Sequence, residues 1–330
     1  MRKTILALLM TGLLLFVGIL ATHADEGGVV RFATLPPGPG HPEGIAADAK
    51  GNIYVATFDF SPSPPPNVIH IFGNNGRLLD TIPLLGAVPF GLAFDAAGNL
   101  YAANFGGGNV IKFSPPFTHA STPSAVFPVC GGMAAGCGLN AITFDAAGDL
   151  YVSDSFGGNV FKIDLPGGSV SIFVNDELLK PAPPPHGFPG FGANGLAFSS
   201  DGATLFVANT ADDRILKVNV ASKAVSSFAE SVNGADGILF DGSGRLWVAA
   251  NQADEIVALG ANGRVVERRG SFEGIGPDGA AKGLLFPASI VLSNGSLFVT
   301  NLALALTGTD SEPEADVTTF TISRIPLGGH

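Results

Sequence analysis

Apolar and polar positions come in blocks along this chain, and the blocks recur. The phrase FDAAGNLYAANFGGGNV at 94–110 returns as FDAAGDLYVSDSFGGNV at 144–160. Aligning the chain on it gives six lines: EGIAADAKGNIYVAT (43–57), FGLAFDAAGNLYAAN (90–104), NAITFDAAGDLYVSD (140–154), NGLAFSSDGATLFVAN (194–209), DGILFDGSGRLWVAA (236–250) and ASIVLSNGSLFVTN (288–301). Successive starts lie 47, 50, 54, 42 and 52 residues apart, the period of a structural repeat. Each line is a short apolar run, a turn rich in Asp, Ser, Asn and Gly, and a second apolar run. That pattern predicts strand, tight turn, strand. The second run is apolar on both faces, as in Ile53-Tyr54-Val55-Ala56, so it is expected to be covered on both sides.

Weaker strand pairs follow each line. NVIHIF (67–72) and RLLDTI (77–82) follow the first, NVIKFS (109–114) and SAVFPV (124–129) the second, NVFKID (159–164) and GSVSIFV (168–174) the third. Six units of about four antiparallel strands predict an all-β fold, a six-bladed β-propeller of four-stranded antiparallel blades. The sixth unit has a single later strand, TTFTISRI (318–325), and VVRFATL (29–35) near the N-terminus is spare. The N-terminal strand is expected to complete the sixth blade and close the ring, which removes open sheet edges. The alternative, an open solenoid, needs no strand from the other terminus. Phe94, Phe144, Phe198 and Phe240 occupy one slot of the repeat and are expected to pack blade on blade. Asn104, Asp154, Asn209 and Asn301 share another slot, at the end of the second strand, and read as turn residues.

The first residues, MRKTILALLMTGLLLFVGILATHA, combine a basic start, an apolar stretch and a small residue at Ala24. They read as a secretory signal peptide cleaved near Ala24, with a retained membrane anchor as the alternative. Residues 25–330 are then one propeller domain, secreted or periplasmic and not membrane-bound after cleavage. Losing Arg2 and Lys3 leaves 15 basic against 28 acidic residues, a formal charge of −13, which disfavours nucleic acid and anionic membranes as partners. Cys130 and Cys137, the only cysteines, suit a local disulfide in an exported protein, with a reduced pair as the alternative. Asn294-Gly-Ser matches a glycosylation acceptor and equally a turn between strands.

The first slot of each line carries the chemistry. It holds Glu43, Phe90, Asn140, Asn194, Asp236 and Ala288. Six-fold symmetry would bring these positions together at one mouth of the central channel. Four of them offer oxygen, and crowding Glu43 and Asp236 is unfavourable unless a cation lies between them. A hard divalent ion with oxygen ligands fits, calcium first, with zinc, magnesium and manganese as alternatives; zinc more usually recruits His or Cys. The bland reading is that Asn194-Gly and Asp236-Gly only make turns.

Glu, Asn, Asn and Asp in blades one, three, four and five resemble the senescence-marker-protein/gluconolactonase/luciferin-regenerating-enzyme family. The segments HPEGIAADAKGNIYVA, NGLAFSSDGATLFVAN and ADGILFDGSGRLWVA are similar to its style, NHL-type propellers use related phrases, and paraoxonases share the fold. The resemblance implies Glu43, Asn194 and Asp236 as metal ligands, Asn140 as a further ligand or substrate contact, and lactone or ester hydrolysis. In that chemistry the ion polarises the carbonyl and acidifies a water, and Asp236 is the candidate base. The chain departs from the family's sugar-acid lactonases, which carry an Arg two residues before the blade-three Asn; here that position is Gly138. His41 and His186 lie near the mouth in sequence but are read as solvated. SPSPPP (61–66), CGGMAAGC (130–137), PAPPPHGFPG (181–190) and GTDSEPEAD (308–316) are expected as loops at the same mouth. Two functions follow: a secreted metal-dependent hydrolase of lactones or related esters acting on a small molecule, or a non-catalytic NHL-like binding or scaffold propeller whose ion, if present, only ties the blades together at a structural or vestigial site.

Overall fold

The computed structural model describes residues 28–38, 40–59, 67–182, 190–306 and 312–328. The expected leader at 1–24, the expected loop 61–66, most of the expected loop 181–190 including His186, and the first part of the expected loop 308–316 lie outside them.

The repeated phrase is a turn built around one carboxylate. Asp48, Asp95, Asp145 and Asp241 each accept backbone N–H groups from residues two and four ahead. The outer carboxylate oxygen then accepts from the side chain six ahead, Tyr54, Tyr101, Tyr151 or Trp247. The turn needs one residue at positive φ, and a glycine supplies it each time, as at Gly98 (φ 80°). In the sixth line Asn294 and Gly295 (φ 48° and 69°) make a two-residue hairpin turn between Pro287–Ser293 and Ser296–Asn301.

These hairpins are the inner halves of six four-stranded antiparallel sheets among the described residues. The inner strands are His41–Ala47, Pro89–Phe94, Leu139–Phe144, Ala193–Phe198, Ala235–Phe240 and Pro287–Ser293. Within each blade, strands pair in sequence order except in the sixth. There the outermost strand is Val30–Thr34, which pairs antiparallel with Thr321–Pro326 in the register Val30 to Arg324 and Thr34 to Thr321. The N-terminal strand therefore completes the sixth blade and closes the ring. A short extra ribbon, Phe272–Ile275 with Ala281–Gly283, lies between blades five and six; the repeat pattern carries no sign of it.

Blade packs on blade through the repeat's aromatic slots. Phe94, Phe144, Phe198 and Phe240 meet Tyr54, Tyr101, Tyr151 and Phe206 of the preceding blade edge to face, with ring centroids 4.9, 5.3, 4.9 and 5.2 Å apart. Such pairs contribute about 0.5–1.5 kcal/mol each beyond area burial. The second strands, such as Ile53–Phe58 and Leu150–Asp154, are buried along their whole length, as their two-faced apolarity requires. The slot at the end of that strand is structural: Asp154 accepts from the Gly138 and Phe156 backbone N–H groups, and Asn209 donates to the Leu178 and Lys180 carbonyls. Cys130 and Cys137 form a disulfide that closes the loop leading into the third inner strand.

The inner strands converge on the axis through a shared irregularity. In all six, the register with the second strand shifts at the first slot and the residue after it, between Pro42 and Ile45 in blade one and between Ala235 and Ile238 in blade five. This β-bulge re-aims the slot side chain. In four blades the second bulge residue is glycine because the next blade's backbone lies against it. A Cβ on Gly44 would sit 1.9 Å from the Phe90 carbonyl oxygen, and one on Gly195 2.2 Å from that of Asp236. Blades three and six carry Ala141 and Ser289 there, and Ser153 and Thr300 of their second strands bond those residues instead.

Candidate functional site

Glu43, Asn140, Asn194 and Asp236 stand at the same bulge of their inner strands, and all four are buried, 3–4% exposed. The two carboxylates lie near enough to repel: the Asp236 charge helps raise Glu43, although desolvation by burial is the larger cause, and Glu43 titrates well above a normal carboxylate. Burial also raises Asp236, to about 7, while the neighbouring amides of Asn251 and Asn194 oppose the shift. Among the described residues no three His, Cys, Asp or Glu side chains gather. The set is two acids among amides.

A second ring supports the first. One residue beyond the end of each aligned line stand Phe58, the last residue of its strand, and Phe105, Ser155, Thr210, Asn251 and Leu302, each just past its strand. Asn140 donates from Nδ2 to the Ser155 hydroxyl (3.1 Å), which donates to the Ala193 carbonyl of the next blade (3.0 Å). Asn194 donates to Thr210 (3.0 Å), which donates to the Ala235 carbonyl (2.7 Å). Asn251 donates from Nδ2 to Asp236 Oδ2 (3.1 Å). Each amide nitrogen is thus occupied, and each amide oxygen is left for another partner. Three acceptors in this region are buried with no partner at all: Glu43 Oε2, Asp236 Oδ1 and Asn251 Oδ1. Buried acceptors without donors are costly, and a cluster containing only acceptors has the polarity a cation requires.

The sequence reading missed Ser155, Thr210 and Asn251. A signal was present: extending the six aligned lines by one residue gives polar side chains in blades three, four and five only. The remaining blades are apolar at both rings, Glu43 excepted. Phe90 stacks on Phe105 with centroids 4.2 Å apart and planes at 11°, and Phe58 meets Phe90 at 4.9 Å. His41 is not solvated as its sequence position suggested: it opens the first inner strand, its Nδ1 donates to the Leu302 carbonyl (2.9 Å), its ring packs on Phe58 and Phe320, and burial lowers its pKa. At the far side of the bulges the inner strands line a channel of about 470 Å³ with apolar side chains such as Ile142, Leu196 and Ile238.

Fold and site together define a closed six-bladed propeller with a buried acid–amide ring on its axis. Residues 188–269, which include Asn194 and Asp236, match the SMP-30/Gluconolactonase/LRE-like region, so the chain resembles that family in sequence over this stretch and in architecture throughout. No curated protein matches the sequence. Among solved structures, a luciferin-regenerating enzyme is similar with TM-score 0.67 at 14% identity, over 92% of this chain and 96% of its own. A gluconolactonase from Xanthomonas campestris gives 0.64 at 15%, over 92% and 90%. A calcium-binding regucalcin from Agrobacterium tumefaciens gives 0.63 at 15%, over 90% and 95%. At such identities the likeness is one of fold.

Proposed function

We propose that this protein is an exported, metal-dependent hydrolase of lactones or related esters. The observation that carries the reading is the pair of buried carboxylates, Glu43 and Asp236, each with an oxygen that no donor meets. Two acids sharing a desolvated ring are stable as anions only with a cation between them. Glu43, Asn194 and Asp236 would hold a divalent ion through oxygen, with Asn140 beside it as ligand or substrate contact and the Asn251 amide oxygen within the same polar region. All are hard oxygen donors, which suits calcium. When bound, the ion supplies Lewis-acid polarisation of the ester carbonyl.

The chain's own groups do the rest. Ser155 and Thr210 fix the two asparagine amides so that their oxygens stay free. Asn251 anchors Asp236 through Oδ2, and the Asp236 carboxylate, kept ionised by the cation, is the candidate base that takes a proton from the attacking water. Water adds to the carbonyl, the ring C–O bond breaks, and the departing alkoxide takes up the proton. Names of similar structures, a gluconolactonase and a calcium-binding regucalcin, support the substrate class and the ion. The disulfide and the apolar leader support export.

The near-complete burial of the four slot side chains favours a second reading, in which the ion ties the blades together without catalysis. One experiment separates them: calorimetric calcium titration of the metal-stripped protein beside a hydrolysis panel of aliphatic, aromatic and sugar lactones, with and without chelator. The hydrolase reading expects saturable calcium binding and chelator-sensitive turnover. Binding without turnover leaves the scaffold, and absence of divalent-ion binding overturns both.

A further inference from the structure

The two rings divide the mouth into unlike halves. Blades three, four and five present Asn140 with Ser155, Asn194 with Thr210, and Asp236 with Asn251. Blades six, one and two present Ala288 with Leu302, Glu43 with Phe58, and Phe90 with Phe105. Glu43 is the single polar group on the second side. From blade two the phenylalanines continue past the rings onto blades three and four. Phe105 meets Phe156 at 5.5 Å, and Phe156 meets Phe191 at 5.7 Å; both outer rings are only half-buried. Phenylalanine is thus continuous from the acid–amide ring outward toward solvent. The same rings crowd Gly138, where a side chain would have to displace them: a Cβ there would sit 2.6 Å from the Phe105 ring and 3.0 Å from that of Phe156.

We infer that the site takes lactones or esters with a hydrophobic alkyl or aryl part, and that this part lies along the phenylalanines from Phe90 to Phe191 while the carbonyl lies at the acid–amide ring. The inference rests on the hydrolase reading of the site. A polyhydroxylated lactone laid on this side would leave its hydroxyls without partners, which is costly, whereas hydrocarbon there leaves water. Phe90, Phe105 and Phe156 set the preference; none of them takes part in bond making.

The test uses hydrolysis-resistant lactams on the full mature chain with calcium present: δ-valerolactam, the same ring bearing a nonyl chain, and glucono-δ-lactam. Calorimetry should show affinity rising by about fourfold for each methylene that reaches the wall, and the sugar lactam binding weakest. Phe156→Ser, at a half-buried position, and the milder Phe90→Leu should each lower the ratio of nonyl to unsubstituted affinity, by at least about tenfold for Phe156→Ser. Equal affinities for the three lactams, preference for the sugar lactam, or a ratio untouched by both variants would make the phenylalanines a structural plug and overturn the inference. The two readings fail separately. Nonyl-lactam binding with no lactone hydrolysed removes the hydrolase and keeps the apolar site; hydrolysis that favours the sugar lactone does the reverse.

Discussion

Replacing Asp236 by Asn should stabilise the metal-free protein, and only above mildly acidic pH. Burial raises the Asp236 carboxyl from 3.8 to about 7. Because its folded pKa lies above its unfolded one, the native state holds the extra proton between those values. The associated stability is complete below about pH 4 and is lost as pH rises through about 7. At about 1.36 kcal/mol for each tenfold change in proton affinity, the buried charge costs roughly 4 kcal/mol above neutrality. Glu43 shifts in the same direction, by burial and then by the Asp236 charge, and part of its shift should relax in the variant. His70 works the other way: burial lowers it from 6.5 to about 4, so its stability is lost as pH falls through that window. Wild type alone would therefore show a blurred profile, whereas its difference from the variant cancels His70 and leaves Asp236 with its coupling to Glu43. Urea denaturation of metal-stripped protein from about pH 4 to 8 should find the two nearly equal at the acid end. At about pH 8 Asp236→Asn should be more stable by up to about 4 kcal/mol. Calcium should narrow the difference, since wild type gains about 2.7 kcal/mol at a hundredfold excess over its dissociation constant and the variant gains less. A difference that does not vary with pH, or a variant less stable at the alkaline end without metal, would refute the buried-charge account.

Thr210→Val keeps shape but removes the hydroxyl between the Asn194 amide and the Ala235 carbonyl. It should cost about 1–3 kcal/mol in urea denaturation and about 10–100-fold in calcium affinity by calorimetry; unchanged affinity would mean that the amide needs no orienting partner. Gly195→Ala places a Cβ 2.2 Å from the Asp236 carbonyl oxygen and should destabilise by at least about 1–3 kcal/mol, while a neutral outcome would show the ring to be looser than that contact implies.

The repeat was legible in the chain alone, and through it the fold. Every unit writes the same strand–turn–strand line with a two-faced second strand, and most write the same carboxylate turn and aromatic slot, so local rules applied six times agree on one architecture. Ring closure was legible too, because the sixth unit lacks a strand and the N-terminus has one to spare. The four oxygen donors could be read for the same reason: symmetry turns positions far apart in sequence into neighbours. What surrounds those donors emerged only with the folded ring. Whether Asn194-Gly is a turn or a site depends on the next blade, since a bulge, and a carbonyl oxygen 2.2 Å from where a methyl carbon would stand, make that glycine a packing necessity rather than a turn signal. The charge states of Glu43 and Asp236 depend on burial and on each other, which no local pattern encodes. The second ring was hidden because its residues lie just past the strands, where composition is freest, and acquire meaning only when Ser155, Thr210 and Asn251 meet side chains of the inner strands. The contrast between a polar and a phenylalanine half is likewise a property of the closed ring, for it is closure that sets blade six beside blade one.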